Sequence, residues 1–203
     1  VNSPDLYDYI DKHRDEYALF AFIPYMFGTT YYGCQVCPEK TVLIPCLHDE
    51  AYAYMTNLKG PFSRVKGMAF LSQPECDLAA RLYGTKGDNF RYLGAGLDVD
   101  FEFDANRFLE KYGIKDDFIL YAGRKEAGKK VDVLIKYFIE YKKRNPSDLK
   151  LILIGGGEIP FDSDDVIDLG FVPAQDKYDA YAAATFFCNP SQMESFSIVI
   201  MES

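Results

Sequence analysis

From Asp117 to Ser203, short apolar runs alternate with segments of helical period, and this alternation narrows the possible folds more than any other feature. Phe118-Ile-Leu-Tyr-Ala-Gly123 is uniformly apolar, as a strand covered on both faces is. After it, Val131, Leu134, Tyr137, Phe138 and Tyr141 recur at helical spacing, with Asp132, Lys136, Glu140 and Lys143 on the other face, and Asn145-Pro146 ends the helix. The pattern predicts buried strands over 151–155 and 166–171, a helix over 175–184 and a further strand over 185–189. Strands and helices alternating at these lengths predict an α/β fold with a parallel, doubly wound sheet.

The first half follows the same logic less regularly. Ser3-Pro4 reads as a cap with proline at the first helical position, leading a helix toward Glu16. Strand-like runs follow at 17–23, 41–47, 68–71 and 90–93, with a helix over 74–83. Gly94-Ala-Gly96 opens an irregular, Asp-rich stretch that reaches about Asn106 and reads as a connection between domains. The expected organisation is a first Rossmann-like domain over 1–97, a connection over 98–116 and a second Rossmann-like domain over 117–203.

Composition removes several functional classes. With 31 acidic against 22 basic residues, net −9, the chain as a whole repels a polyanion, so nucleic acid is not an expected partner. Its longest apolar run, Ala18 to Phe27, is broken by Pro24 and falls far short of the roughly 20 residues that cross a bilayer. The N-terminus shows no secretory signal pattern, and a reducing, cytoplasmic setting is expected. The 5 cysteines are therefore expected to be free. Cys34, Cys37, Cys46 and His48 come in a zinc-like order, but Cys46 and His48 lie in or just after an apolar run, where cysteine behaves as a small hydrophobe.

Chemistry concentrates at two places. Arg124-Lys-Glu-Ala-Gly-Lys-Lys130 carries four cations in seven residues of an acidic chain, directly after a buried strand and before a helix, which is where open α/β sheets place ligands. Cations there, with helix amides nearby, suit a phosphate group. The second place is Asn189-Pro-Ser-Gln-Met-Glu194-Ser-Phe-Ser-Ile-Val-Ile-Met-Glu202. Glu194 follows a strand end, Ser195 is a good helix cap, and the backbone N–H groups of Phe196, Ser197 and Ile198 would then face an anion. At ~1.5 Å per residue, Glu202 would lie about 10 Å further along the same helix.

Taken together, residues 118–203 resemble the nucleotide-sugar-binding domain of the retaining glycosyltransferases of family 4, which have the GT-B fold of two facing Rossmann-like domains. The resemblance rests on Gly-Arg124, Lys129 followed by Val-Asp-Val-Leu-Ile, Leu-Ile-Leu-Ile-Gly-Gly-Gly157, Leu-Gly-Phe171, Asn-Pro-Ser191, and Glu194 and Glu202 separated by seven residues. It implies that Arg124 and Lys129 contact the diphosphate of a nucleotide-sugar donor, that Glu194 meets the transferred sugar and that Glu202 binds the ribose. Lys130 stands where the family usually has glycine. Leu43-Ile-Pro-Cys-Leu-His48-Asp-Glu in the first half resembles a strand of the acceptor domain that ends in a histidine near the donor sugar and its phosphate, which makes His48 a second candidate catalytic residue beside Glu194.

The implied activity is transfer of a sugar, with retention, to a carbohydrate or glycolipid acceptor, as in polysaccharide biosynthesis. No cofactor or metal is expected, because the cationic strand end replaces one. Asp98-Val-Asp100 and Asp162-Ser-Asp164 spell a metal-binding pattern but stand away from those cations, and Gly155-Gly-Gly157 lacks the full spacing of a dinucleotide loop. Both domains are expected to be incomplete, the sequence being an internal piece of a longer enzyme whose other segments reach a membrane surface. A GT-B phosphorylase, a glycogen-synthase-like enzyme and a non-catalytic nucleotide-sugar-binding or partner-binding module are the alternatives.

Overall fold

A computed structural model describes residues 2–84, 89–97, 100–192, 194 and 196–203. The chain divides into two compact units, Val1–Ala95 and Gly96–Ser203. The first contains helix α1 (Pro4–Lys12), strand β1 (Phe20–Phe22), α2 (Gly28–Gly33), β2 (Thr41–Leu43), α3 (Thr56–Arg64), β3 (Gly67–Phe70), α4 (Gln73–Tyr83) and β4 (Phe90–Tyr92). Its strands run parallel in the order β1-β2-β3-β4. One core, built on Leu43, Phe62, Met68, Phe70 and Ala79, holds the sheet to its helices.

This half departs from the sequence pattern at the ends of its elements and in two further helices. Ser3 is the cap residue and Pro4 the first helical residue, as expected, but Ser3 uses no side-chain bond, its carbonyl accepts from the Leu6 N–H at 3.1 Å, and the helix ends at Lys12, short of Glu16. Strand β2 stops at Leu43, four residues early, because Pro45 offers no N–H and Cys46 sits at φ 51°, the left-handed region. Helices α2 and α3 arise where no helical period was legible, since one is Gly-Thr-Thr-Tyr-Tyr-Gly and the other encloses Pro61.

The second unit contains α5 (Ala105–Tyr112), β5 (Phe118–Ala122), α6 (Val131–Arg144), β6 (Lys150–Ile154), β7 (Val166–Gly170), α7 (Ala174–Ala183), β8 (Phe186–Phe187) and α8 (Ile198–Glu202). Its parallel sheet has the order β7-β6-β5-β8. Alternate residues of β5 face opposite ways: Phe118, Leu120 and Ala122 pack with Phe108 and Ala180, while Ile119 and Tyr121 pack with Val131, Ile135 and Phe138. Both faces are covered, which is why the strand reads as an unbroken apolar run. On α6 the buried stripe is Val131, Ile135 and Phe138; Tyr137, expected on that face, is 73% exposed, and Tyr141 is also exposed. Strand β8 is a two-residue edge piece, shorter than the expected 185–189.

Within the stretch expected to be a connection, residues 105–112 form α5, capped by Asp104, whose side chain accepts from the Asn106 and Arg107 N–H groups. This helix is locked to α7 by charge. Arg107 donates to the fully buried Asp179 at 2.5 and 2.7 Å, and Asp179 also accepts from the Asp104 N–H. The Arg107 hydrogen bonds, against the opposing effect of burial, hold the Asp179 carboxyl down to about 2. A carboxyl whose folded value lies below its unfolded one contributes stability that is complete above about pH 4 and lost as pH falls through about 2. Denaturant midpoints measured from pH 5 down to pH 2 should therefore fall, and Arg107→Ala should lower the pH 5 midpoint while flattening that fall. An unchanged slope in the variant would show that this pair does not carry the acid sensitivity.

Candidate functional site

In the second sheet the chain steps outward from β5 to β6 and β7, then returns to place β8 on the other side of β5. Neighbouring strands whose connections leave in opposite directions open a crevice at their carboxyl ends, the usual ligand position in such sheets. The segments leaving that switch point carry Arg124 and Lys129 after β5 and Glu194 after β8.

The loop after β5 is fixed by backbone contacts to the loop after β6. The Gly123 N–H donates to the Ile154 carbonyl at 2.9 Å and the Lys125 N–H to the Gly156 carbonyl at 2.7 Å. A Cβ at Gly155, which has φ 126°, would lie 2.0 Å from the Gly123 carbonyl oxygen. The glycine run thus serves close approach of two backbones, consistent with its lack of a full dinucleotide spacing.

The four cations of this loop separate into different roles. Lys125 turns inward: its side chain is wholly buried, and Nζ donates to the Gly155 carbonyl at 2.5 Å and to Asp168 Oδ1 at 2.8 Å. It is a structural strut and no part of a phosphate grip. Arg124 is 75% exposed, with its guanidinium 3.3 Å from Glu126. Lys130 adopts φ 56° and ψ 30° as the residue before α6, a left-handed conformation that glycine takes without steric cost. That accounts physically for a glycine being usual at this place in the resembled family. Lys129 ends the short turn Ala127–Lys129 and reaches Glu194, Nζ to Oε1 at 2.8 Å, with both side chains about three-quarters buried.

Burial alone would raise the Glu194 carboxyl, but hydrogen bonds from Lys129, Ser191 and Asn189 outweigh it and hold the group below the ordinary carboxylate value. Asn189 organises the whole segment. Its Oδ1 accepts from the Ser191 N–H at 3.1 Å, and its Nδ2 donates to Ser197 Oγ at 2.9 Å. Asn-Pro at a strand end was the available signal for this role.

Ser195, expected as the helix cap, lies outside the described residues. Helix α8 begins only at Ile198, with Ser197 in extended conformation as the residue before it. Phe196 and Ser197 therefore precede the helix, Glu194 stands four residues ahead of it and Glu202 is its last residue. Glu202 instead faces α7, where Lys177 Nζ lies 2.7 Å from its Oε1, and the hydroxyls of Tyr178 and Tyr181 donate to its two oxygens at 3.2 and 3.4 Å. Nothing local to the 189–202 segment signalled these partners. Lys177 also lines, with Gly123, Arg124, Gly155, Phe171 and Val199, a largely apolar cleft of about 290 Å³. Phe171 is 87% exposed.

In the first unit, His48 follows β2 and is about one-third exposed, its Nδ1 3.7 Å from Glu50 Oε1. That oxygen accepts from the Tyr25 hydroxyl at 2.8 Å. Cys34 and Cys37 are buried and free, with Sγ donating to the Tyr31 carbonyl and to Glu39 respectively. Among the described residues no group of three or more His, Cys, Asp or Glu side chains is arranged to hold a metal. Asp98 lies outside those residues, and Asp162 and Asp164 precede β7, at the amino end of the sheet opposite the cations. No helix among the described residues is long and apolar enough to cross a membrane.

Comparison with known proteins sets similar sequences and structures beside this geometry. Residues 116–203 match the sequence model of the glycosyl transferases group 1, as the resemblance of that segment implied. A curated relative from Campylobacter jejuni, N-acetylgalactosamine-N,N'-diacetylbacillosaminyl-diphospho-undecaprenol 4-alpha-N-acetylgalactosaminyltransferase, is 28% identical over 171 residues, covering 79% of this chain and 41% of its own. Among solved structures, Anabaena Alr3699/HepE in complex with UDP superposes with a TM-score of 0.78 at 17% identity over 99% of this chain and 62% of that one. Sucrose-phosphate synthase from Thermosynechococcus elongatus gives 0.73 at 15% identity, over 98% and 56%. The chain thus spans about half the length of the relatives it matches, and its two parallel four-stranded sheets have the GT-B glycosyltransferase fold.

Proposed function

We propose that this chain, whose second half matches the group 1 glycosyl transferases on a GT-B fold, belongs to an enzyme that moves a sugar from a nucleotide-diphosphate donor to a carbohydrate or glycolipid acceptor with retention of configuration. The observation that carries the reading is the meeting of Lys129 and Glu194, 2.8 Å apart, at the sheet's switch point, with Lys129 on the same loop after β5 as Arg124. Two of the similar structures support the donor class, since HepE was crystallised with UDP and with UDP-glucose. The Campylobacter relative supports the acceptor class, its named substrate being a saccharide on diphospho-undecaprenol, which would bring this protein to a membrane surface.

In the proposed reaction the bond from the anomeric carbon to the diphosphate oxygen breaks, and an acceptor hydroxyl oxygen bonds to that carbon on the same face. The hydroxyl proton passes to the departing diphosphate. Arg124 and Lys129 stabilise the negative charge that builds on it. Glu194, held ionised by its hydrogen bonds, orients the sugar and forms no covalent bond to it. Glu202 serves the ribose through an oxygen it shares with Lys177, the Phe196, Ser197 and Ile198 amides assist the diphosphate, and His48 serves the donor sugar and its phosphate.

Because fixed cations do this work, the reading needs no metal. Thermal shift with UDP, GDP, ADP and their sugars should identify one nucleotide that stabilises the protein by about 2.7 kcal/mol at a hundredfold its Kd. Chelator should leave that shift unchanged. A shift that collapses in chelator and returns with magnesium or manganese would overturn the metal-free reading and turn attention to Asp98 and Asp100.

A further inference from the structure

Glu75 is buried in the first unit, 3% exposed, and among the described residues its side chain bonds to two backbone N–H groups and to no cation. It is the third residue of α4, whose cap Ser72 accepts from the Glu75 N–H at 3.3 Å. In a reciprocal capping box the glutamate side chain returns to the backbone N–H of the cap residue. Here the carboxylate is used elsewhere. Oε1 accepts from the Leu47 N–H and Oε2 from the Leu71 N–H, both at 2.7 Å, so one side chain joins the segments that leave β2 and β3.

The Leu47 N–H needs such a partner because β2 has already ended at Leu43 and the chain has turned through Pro45 and Cys46. Leu47 is itself 2% exposed, and His48 is the next residue. We infer that Glu75 is a positioning residue for His48: by holding the Leu47 N–H it fixes the turn that presents the imidazole beside Glu50. The catalytic part of this inference rests on the transferase reading above; the positioning part does not.

Glutamine is the informative replacement, since it keeps the shape but turns one acceptor into a donor facing a backbone N–H. In histidine side-chain NMR the chain offers only 2 histidines, His13 and His48. Glu75→Gln should move or broaden the His48 ring signals and leave those of His13 in place, whereas Ser72→Ala, which removes the cap but keeps the carboxylate, should leave both. Glu75→Asp retains two acceptors on a shorter stem and gives the same readout, at smaller size, where the glutamine variant is too poorly folded to measure. In transfer assays Glu75→Gln should lower kcat about 10²-fold with little change in donor KM, as misplacement of a remote group does. In a His48→Ala background it should add less than about twofold, because residues acting through one group are not additive. His48 ring signals that stay put in both Glu75 variants, or kcat losses that multiply in the double variant, would overturn the inference. A His48→Ala enzyme of full activity would overturn only its catalytic part, with the NMR shift still reporting the positioning.

Discussion

Replacing Glu194 with alanine is expected to lower sugar transfer about 10²–10³-fold, the cost of losing one group placed at the reacting centre, while affinity for the bare nucleoside diphosphate does not fall. The structure gives this contrast a physical basis. Lys129 is held by Glu194 at 2.8 Å, so removing the carboxylate would deprive the sugar of its proposed partner while freeing the ammonium for the phosphates. Lys129→Ala should act in the opposite sense: it would remove the proposed charge-assisted contact to the diphosphate and leave Glu194 without the strongest of the three hydrogen bonds that hold its carboxyl down. Transfer by that variant should therefore also gain an acid limb at higher pH than the wild type, since the Glu194 carboxyl then rises. Circular dichroism and denaturant midpoints accompany both measurements. Loss of bare diphosphate binding in a folded Glu194→Ala protein would reassign that residue to the phosphates.

Gly155→Ala is expected to destabilise the second unit by about 3 kcal/mol or more, combining overpacking with a left-handed backbone angle. The added Cβ would fall 2.0 Å from the Gly123 carbonyl oxygen, and the Gly155 carbonyl receives the buried Lys125 ammonium. No rotamer change relieves a clash with backbone, so the loops after β5 and β6 must part. Urea denaturation of the variant should show a large fall in midpoint, and binding at the proposed diphosphate site should weaken with it because Arg124 stands on the loop after β5. Wild-type stability in this variant would mean that the two loops can separate freely and that Lys125 is no strut.

The sequence carried the fold clearly where burial is uniform. The apolar run Phe118-Ile-Leu-Tyr-Ala is a strand with both faces covered, and such a run has few other uses in a chain of this size. Helix α6 was legible by period and by its stop at Asn145. Helix α2 was not, because its residues have weak intrinsic preference and tertiary packing decides its conformation; α5 was hidden behind a glycine- and aspartate-rich approach.

The site divides in the same way. Strand ends and turn residues are local, so the placing of Arg124 and Lys129 after β5 followed from pattern alone. Which cation turns inward is a long-range matter. Lys125 is buried because Gly155 and Asp168, 30 and 43 residues away, offer it acceptors, and no period in the sequence reports that. The partners of Glu202 on α7 are likewise 21 to 25 residues distant. Glu75 carried an ordinary capping signature, Ser-x-x-Glu, while its carboxylate serves the Leu47 N–H, 28 residues earlier and past the end of β2.

The most direct test of the account is calorimetric titration of the preferred nucleoside diphosphate, without sugar, into the wild-type chain and into Arg124→Ala and Lys129→Ala. Each lost charge-assisted contact should cost about 1.5–3 kcal/mol, a 10- to 150-fold rise in Kd. Lys136→Ala, at an exposed position on α6, should bind as the wild type does. Equal affinity across all four proteins would contradict the assignment of the carboxyl end of β5 as the diphosphate site.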